Sequence, residues 1–565
     1  MSHSRTGGKL LADQLVLHGC ELAFCVPGES YLPLLDGLFD HRDRVRLVTC
    51  RHESAAANAA EAAGKLTGRP GVCMVTRGPG VTHAAVGVHT ARQDSTPLIL
   101  LVGQVARGHR GREAFQELDL PAVFGPMAKA ALEIDDPDRI PELVAGAFSL
   151  ATSGRQGPVV ISLPEDVLAQ PSDAPDAEPY RTWEPAADPR DIAAVRGLLE
   201  AAERPFVLVG GGPWDAEGCA RLAAWADACG LPLGASFRRQ DVVDNALSCY
   251  AGDIGLGVNP RLARRIAGAD LVIALGSRLT EIETQGYTLL APPTPTQALV
   301  HVHPDPTELG RVYQPRLGVL AAVRSFAAAA DAGARVDGTR WAEWADEAHR
   351  DYEAWSAPGD RADSGGHGVD LAEVVAHLRA ELPEDAIVCN GAGNYTVWIH
   401  RFFRYRRWGT QLAPQSGAMG YGVPAALAAQ LLRPSSSVVA FAGDGCFQMC
   451  AQELATMRQE RLPIIVIVAN NGMLATIRMH QERRFPARVI GTDLVNPDFA
   501  ALARAHGIHG ERVERTEQFP EALARARGSG GAALIEIITD PEALTPTASL
   551  NETRERAQQG AVAAG

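Results

Sequence analysis

The sequence predicts an α/β fold class, with three doubly wound parallel-sheet domains in one chain. Three observations predict it. Short β-branched apolar runs alternate with helix-like stretches over nearly the whole length. Two segments rich in proline or charge and without periodicity, 171–189 and about 355–368, interrupt that alternation. The 565 residues also suit several cores of ordinary size. Strand followed by helix, repeated, means parallel strands joined by crossovers, with both faces of each sheet covered.

The first domain, 1–168, carries the strand-like runs "ELAFCVPG", "VRLVTC", "GVCMVT", "PLILLVGQV" and "GPVVISLP". The second, 190–335, carries "PFVLVGGGP", "LPLGAS", "ADLVIALGSR" and "ALVHVHPD". The third, 366–545, opens on a helix in "DLAEVVAHLRAEL", continues through "AIVCNGAG", "SSVVAFAGDG", "PIIVIVANN" and "AALIEIIT", and is followed by a polar tail. No repeat of solenoid period is present.

Composition narrows the function. A net charge of -14 argues against a nucleic-acid partner, because neutralising phosphates needs a basic surface. The one basic patch, "RFFRYRRW" at 401–408, reads as a surface or subunit-contact face. No apolar run approaches the ~20 residues that cross a bilayer. The N-terminal "MSHSRTGGKLLADQL" lacks an apolar signal core, and ten cysteines without CxxC spacing read as small buried hydrophobes. Cytoplasmic residence is the expectation.

The chemistry-bearing stretch is "GDGCFQMCAQELATMRQERLPIIVIVANN", residues 443–471. Read as strand, helix and strand, it forms a right-handed crossover, so both strand tips lie on the same sheet edge, where open α/β folds bind ligands. Asp444 and Asn471 are therefore expected as near neighbours. Their oxygens are hard donors suited to Mg²⁺, which takes its remaining positions from phosphate oxygens and water. Gly443 and Gly445 let the backbone approach a phosphate, and a helix starting near Cys446 offers its free N–H groups to one. The alternative is a pair of ligand-free turns.

This stretch, GDG followed after 24 residues by NN, resembles the thiamine diphosphate binding motif. The resemblance implies that Asp444, the Asn471 side chain and the Met473 backbone carbonyl hold Mg²⁺, which anchors the diphosphate. Residues 46–105, with "RHES" and "TRGPGVTH", resemble the pyrimidine-binding domain of acetolactate synthases, and Glu53 falls on the activating glutamate. "QLAPQSGAMGYGVPAALAA" (411–429) places Met419 on the bulky residue under the bent cofactor and the Gly417 carbonyl on the acceptor for the pyrimidine amino group. "EAFQELDLPAVFGPMAKAAL" (113–132) places Phe115, Gln116 and Lys129 on substrate-pocket positions, and His52 is read as a support for Glu53.

The resemblance, spanning about residues 10 to 540, implies decarboxylative carboligation of 2-oxo acids, with pyruvate as the simplest donor and a carbonyl acceptor. It further implies a homodimer or homotetramer with active sites at subunit interfaces. The departures bear on the acceptor: Ser54 and His83 replace the glutamine and asparagine of the family pattern, Arg77 stands in "TRGPG", and His480 replaces a tryptophan. Arg278 matches an arginine that contacts FAD and the second substrate's carboxylate. Its acidic neighbours are replaced by Thr280 and Glu281, and "HVHPD" stands at 301–305, so FAD is left open. The glycines of "VGGGP" lack the spacing of a dinucleotide fingerprint. Alternatives are a 2-oxo acid decarboxylase or acyl-CoA lyase of the same family, a non-catalytic cofactor-binding homologue, and, on fold class alone, a nucleotide-dependent dehydrogenase.

Overall fold

The computed structural model describes residues 4–359 and 368–564. Residues 360–367, which include part of the second expected linker and the first two residues of the expected third domain, lie outside the described residues.

Three six-stranded sheets follow one another along the chain, and every strand pair in them is parallel. The N-terminal sheet contains β1 (Leu22–Cys25), β2 (Arg46–Thr49), β3 (Gly71–Val75), β4 (Leu98–Gln104), β5 (Ala130–Glu133) and β6 (Pro158–Pro164), in the order β2-β1-β3-β4-β6-β5. The central sheet contains β7 (Pro205–Val209), β8 (Leu233–Ser236), β9 (Tyr250–Ile254), β10 (Leu271–Leu275), β11 (Ala298–His303) and β12 (Leu317–Leu320), in the order β9-β8-β7-β10-β11-β12. The C-terminal sheet contains β13 (Ile387–Asn390), β14 (Gln411–Leu412), β15 (Val438–Gly443), β16 (Ile465–Asn470), β17 (His509–Val513) and β18 (Ala533–Ile538), in the order β14-β13-β15-β16-β18-β17. The first and third sheets thus share one strand order, while the central sheet has the doubly wound order of dinucleotide-binding folds.

The central strands form because nothing in them needs water. Every residue of β3, β4, β6, β7 and β10 is buried, which only a sheet covered on both faces allows. One compact unit comprises the N-terminal sheet and its helices together with Leu427–Leu432 and Cys450–Glu460; the other holds the central and C-terminal sheets. Residues 173–188 carry neither helix nor strand.

Three local expectations are corrected. The stretch after Gly443 is not one helix: Asp444–Gln448 is helical, the chain breaks at Met449 and Cys450, a tight turn covers Ala451–Glu453, and a second helix runs Leu454–Glu460. The polar tail is ordered as a short hairpin, Ala543–Thr545 with Ala548–Ser549, and a helix, Leu550–Ala564. Ser549 Oγ accepts the Glu552 amide at 3.2 Å and Glu552 accepts the Ser549 amide at 3.3 Å, a reciprocal cap that starts this helix despite its polarity. The basic run at 401–408 is no open face: Arg401 is buried over the Trp355 ring and donates to the Trp355 carbonyl at 2.8 Å, Arg404 pairs with Glu353 at 2.6 Å, and Arg406 pairs with Asp244 at 2.6 Å.

Among the described residues no helix is long and apolar enough to cross a membrane.

Candidate active site

In the C-terminal sheet the strand order reverses between β13 and β15, the place where open α/β sheets leave a crevice. A cavity of about 300 Å³ lies there. Gly443, Asp444, Gly445 and Cys446 after β15, Asn471 and Met473 after β16, and Gly417 and Met419 all line it. Gly443 pairs in register with Ala469, so the two strand tips end level.

Asp444 is 3% exposed. Its Oδ1 accepts the Gly445 amide at 2.8 Å; its Oδ2 accepts the Gly472 amide at 2.9 Å and Asn496 Nδ2 at 2.8 Å. Burial still pushes this carboxyl above its ordinary value, since these donors offset the loss of water only in part. Asn471 Oδ1 accepts the Met473 amide at 3.2 Å. The two glycines are required by space. A Cβ on Gly443 would stand 2.9 Å from the Tyr395 ring, and one on Gly445 would stand 2.8 Å from Leu474 and 3.7 Å from Met419. Cys446 Sγ accepts the Gly420 amide at 3.2 Å and the Tyr395 hydroxyl at 3.4 Å, so the thiol faces inward. The Asp444–Gln448 helix has only five residues, so it offers individual N–H groups and not a long-helix dipole.

Glu53 belongs to the other unit, at the start of the Glu53–Thr67 helix, whose cap is His52. Glu53 Oε2 lies 3.0 Å from His83 Nδ1, and the His52 and His83 rings stand 4.6 Å apart. The substrate-pocket expectations separate. Phe115 is 72% exposed and its carbonyl accepts Arg77 Nε at 3.1 Å; Gln116 takes a positive φ of 64° with its backbone against Gly78. The Lys129 ammonium donates to the Leu150 and Ser153 carbonyls at 2.8 and 2.6 Å, at the end of the Ile140–Thr152 helix. His480 is exposed on the Ala475–Arg484 helix, and Arg278 follows β10, partly buried.

Three family models match successive parts of the chain: the N-terminal thiamine pyrophosphate (TPP) binding domain of thiamine pyrophosphate enzymes at residues 5–123, their central domain at 192–330, and their C-terminal TPP binding domain at 391–537. The chain belongs to the thiamine pyrophosphate enzyme family. It is 32% identical to the acetolactate synthase large subunit of Corynebacterium glutamicum, covering 92% of this chain and 84% of that one. It is 29% identical to the acetolactate synthase isozyme 2 large subunit of Escherichia coli, over 94% and 95% of the two chains. A probable acetolactate synthase large subunit of Methanocaldococcus jannaschii is 30% identical over 96% and 93%.

The cavity of this thiamine pyrophosphate enzyme fits a magnesium diphosphate in its donor chemistry. It presents one carboxylate, one side-chain amide and the backbone around Met473, beside two glycines that no larger residue could replace without displacing a neighbour. The glycine run of the central sheet has another use. A Cβ on Gly211 would stand 2.0 Å from the Gly276 carbonyl, so loop-to-loop contact already accounts for that glycine.

Sequence reasoning missed two supports. Asn496 Nδ2 also donates to Asn470 Oδ1 at 2.9 Å, and Asn470 Nδ2 donates to buried Glu536 at 2.7 Å, so a polar chain runs from Asp444 into the sheet. Its only signal was an Asn-Pro dipeptide in a loop. Buried Glu453 accepts the Arg51 amide at 3.0 Å and the Thr456 hydroxyl at 2.6 Å, which anchors the turn leading into Glu53; burial pushes its carboxyl up.

Proposed function

We propose that this enzyme depends on thiamine diphosphate and Mg²⁺ and performs decarboxylative carboligation, with pyruvate as donor and a second carbonyl compound as acceptor. The observation that carries this reading is the meeting of Asp444, Asn471 and Met473 around one cavity at the sheet's switch point. The likeness to acetolactate synthase large subunits supports the donor and the carboligation.

When bound, thiamine diphosphate would supply an acidic ring carbon as nucleophile and an electron sink for decarboxylation. The chain's residues do the rest. Asp444, Asn471 Oδ1 and the Met473 carbonyl hold Mg²⁺. Gly443, Gly445 and Cys446 let the backbone approach the diphosphate. The Gly417 carbonyl would accept a hydrogen bond from the pyrimidine amino group, Met419 would pack against the cofactor, and Glu53 would exchange a proton with the pyrimidine ring. Phe115, Gln116 and Lys129 are candidates for the substrate pocket, and Arg278 and His480 for the acceptor. We place the enzyme in the cytoplasm as a homodimer or homotetramer: its ten cysteines are all buried, and Ile477, Phe485, Ile490 and Val495 are exposed apolar residues of the kind a second copy would cover.

The test is product analysis with pyruvate, thiamine diphosphate and Mg²⁺, with and without added aldehyde or 2-oxo acid acceptors. One CO₂ per carboligated product is expected. Aldehyde release with no carboligation would replace this reading by a simple decarboxylase, and no CO₂ from any 2-oxo acid would overturn it. A visible absorbance band on the purified protein would add FAD at the central domain.

A further inference from the structure

We propose that His83 is a positioning residue for Glu53: it holds Oε2 so that Oε1 stays available to the cofactor's pyrimidine ring. The inference rests on the role proposed above for Glu53.

Glu53 is the first residue of its helix, where a carboxylate is well placed near free backbone N–H groups but has several rotamers open to it. The Pro79–Asp94 helix packs alongside and brings His83 to it, with Nδ1 3.0 Å from Oε2. An ionised carboxylate can only accept, so with Glu53 ionised the hydrogen sits on Nδ1. The other oxygen points elsewhere: Oε1 lies 3.4 Å from where a Cβ on Gly80 would stand, and among the described residues no donor reaches it. The Glu53 side chain is 14% exposed and that of His83 is 50% exposed, so the pair sits at a surface with the carboxylate the more sheltered member.

His52 completes the arrangement without competing for the carboxylate. Its Nδ1 is taken by the Ser54 hydroxyl at 2.7 Å and the Ser54 amide at 3.2 Å, and its ring lies against that of His83 at 4.6 Å with a 31° tilt. Stacked this way, His52 fixes the plane in which the His83 N–H points. Neighbouring charges have partners of their own: the Arg51 guanidinium goes to Gln459 and the Thr49 carbonyl, Arg77 to Glu29 and Glu165, and Lys65 to Glu61 and Asp94. Ser54 and His83 are both positions where the sequence departs from the acetolactate synthase pattern, and the contacts place them in one cluster around Glu53.

The experiment uses the full-length holoenzyme and three variants, His83→Leu, His83→Asn and Glu53→Gln. It follows exchange of the cofactor's acidic ring proton for deuterium by NMR after rapid quenching. His83→Leu is expected to slow exchange on the order of tenfold to a hundredfold, the effect of losing a hydrogen bond to a charged group, with cofactor affinity changed by less than about twofold. His83→Asn keeps an N–H within reach of Oε2 and is expected to recover most of the rate, which loss of packing alone would not allow. A second readout needs no cofactor: in crystals of the apo His83→Leu protein, the Glu53 carboxylate is expected in a different or divided rotamer. His83→Ala serves if the leucine variant does not fold. Exchange in His83→Leu at the wild-type rate, or slowed exchange with Glu53 unmoved and no rescue by asparagine, overturns the proposal. Wild-type exchange in Glu53→Gln would instead defeat the role given to Glu53 itself.

Discussion

Replacing Asn496 with alanine tests the proposed metal site, because Asn496 touches Asp444 but is not among the proposed metal ligands. Its Nδ2 donates to Asp444 Oδ2 at 2.8 Å and to Asn470 Oδ1 at 2.9 Å. Its Oδ1 accepts Gln448 Nε2 at 3.0 Å. The bond to the carboxylate is the one that matters for a cation, since it fixes which lone pair faces the cavity. A hydrogen bond to a charged group contributes about 1.5–3 kcal/mol, and removal of a residue that orients a metal ligand typically lowers metal affinity about 10–100-fold. The two figures agree, so the Mg²⁺ concentration for half-maximal cofactor binding should rise by about that factor. The assay is cofactor binding by calorimetry across a Mg²⁺ series, with thermal unfolding of the apo protein as the control for folding. An Asn496→Ala protein with wild-type Mg²⁺ dependence would refute the argument that Asp444 is oriented through this amide.

Four further outcomes follow from the same geometry. Gly443→Ala should impair cofactor binding more than Gly445→Ala: the first sets a methyl 2.9 Å from a packed Tyr395 ring, the second 2.8 Å from the tip of the Leu474 side chain, which can rotate away. Equal affinities would contradict this, and calorimetry reads both. Chelation of divalent ions should release the cofactor from the purified enzyme, measured as free thiamine diphosphate after gel filtration; retention would remove Mg²⁺ from the mechanism. Glu453→Ala should lower stability by about 1–3 kcal/mol by orphaning the buried Thr456 hydroxyl and the Arg51 amide, read as a lower urea midpoint. Glu482 is held down to about 2, chiefly by its bond to Arg554, from an ordinary 4.5. Because the folded value is the lower one, roughly 3 kcal/mol of stabilisation is fully present above the unfolded value and is lost as pH falls through about 2. The difference in hydrogen exchange at residues 543–559 between wild type and Arg554→Ala should therefore close as pH is lowered from about 5 toward 2; a constant difference would contradict it.

Which strands were legible follows a simple physical rule. The strands read from sequence include every interior strand of the three sheets, each a nearly continuous apolar run because both its faces are covered, plus the edge strand β2, whose Arg46 is exposed. Those not read were β5, β9, β12, β14 and β17, and every one of them is an edge strand. Several edge strands have a wet side and carry residues such as His509, Glu511 and Arg512 in β17, or shrink to two residues as in β14, whereas β9 is largely buried but its run is broken by Gly252 and Asp253. Asp444 and Asn471 were legible because strand tips inherit the regularity of the strands before them. Asn496 and Glu453 were not, because one lies in a loop and the other in a tight turn, and each acts through a partner far away in sequence. The C-terminal helix could have been read from Ser549 and Glu552, whose spacing is that of a reciprocal cap.

The far wall of the cavity is made by residues 543–549, held in place by Met479, Leu544 and Leu550 and by the Glu482–Arg554 pair. These residues follow all three sheets in the sequence. The sheets can therefore fold first while the compartment they border remains open, so Asp444 and Asn471 can be in place before the segment that closes the cavity around a ligand.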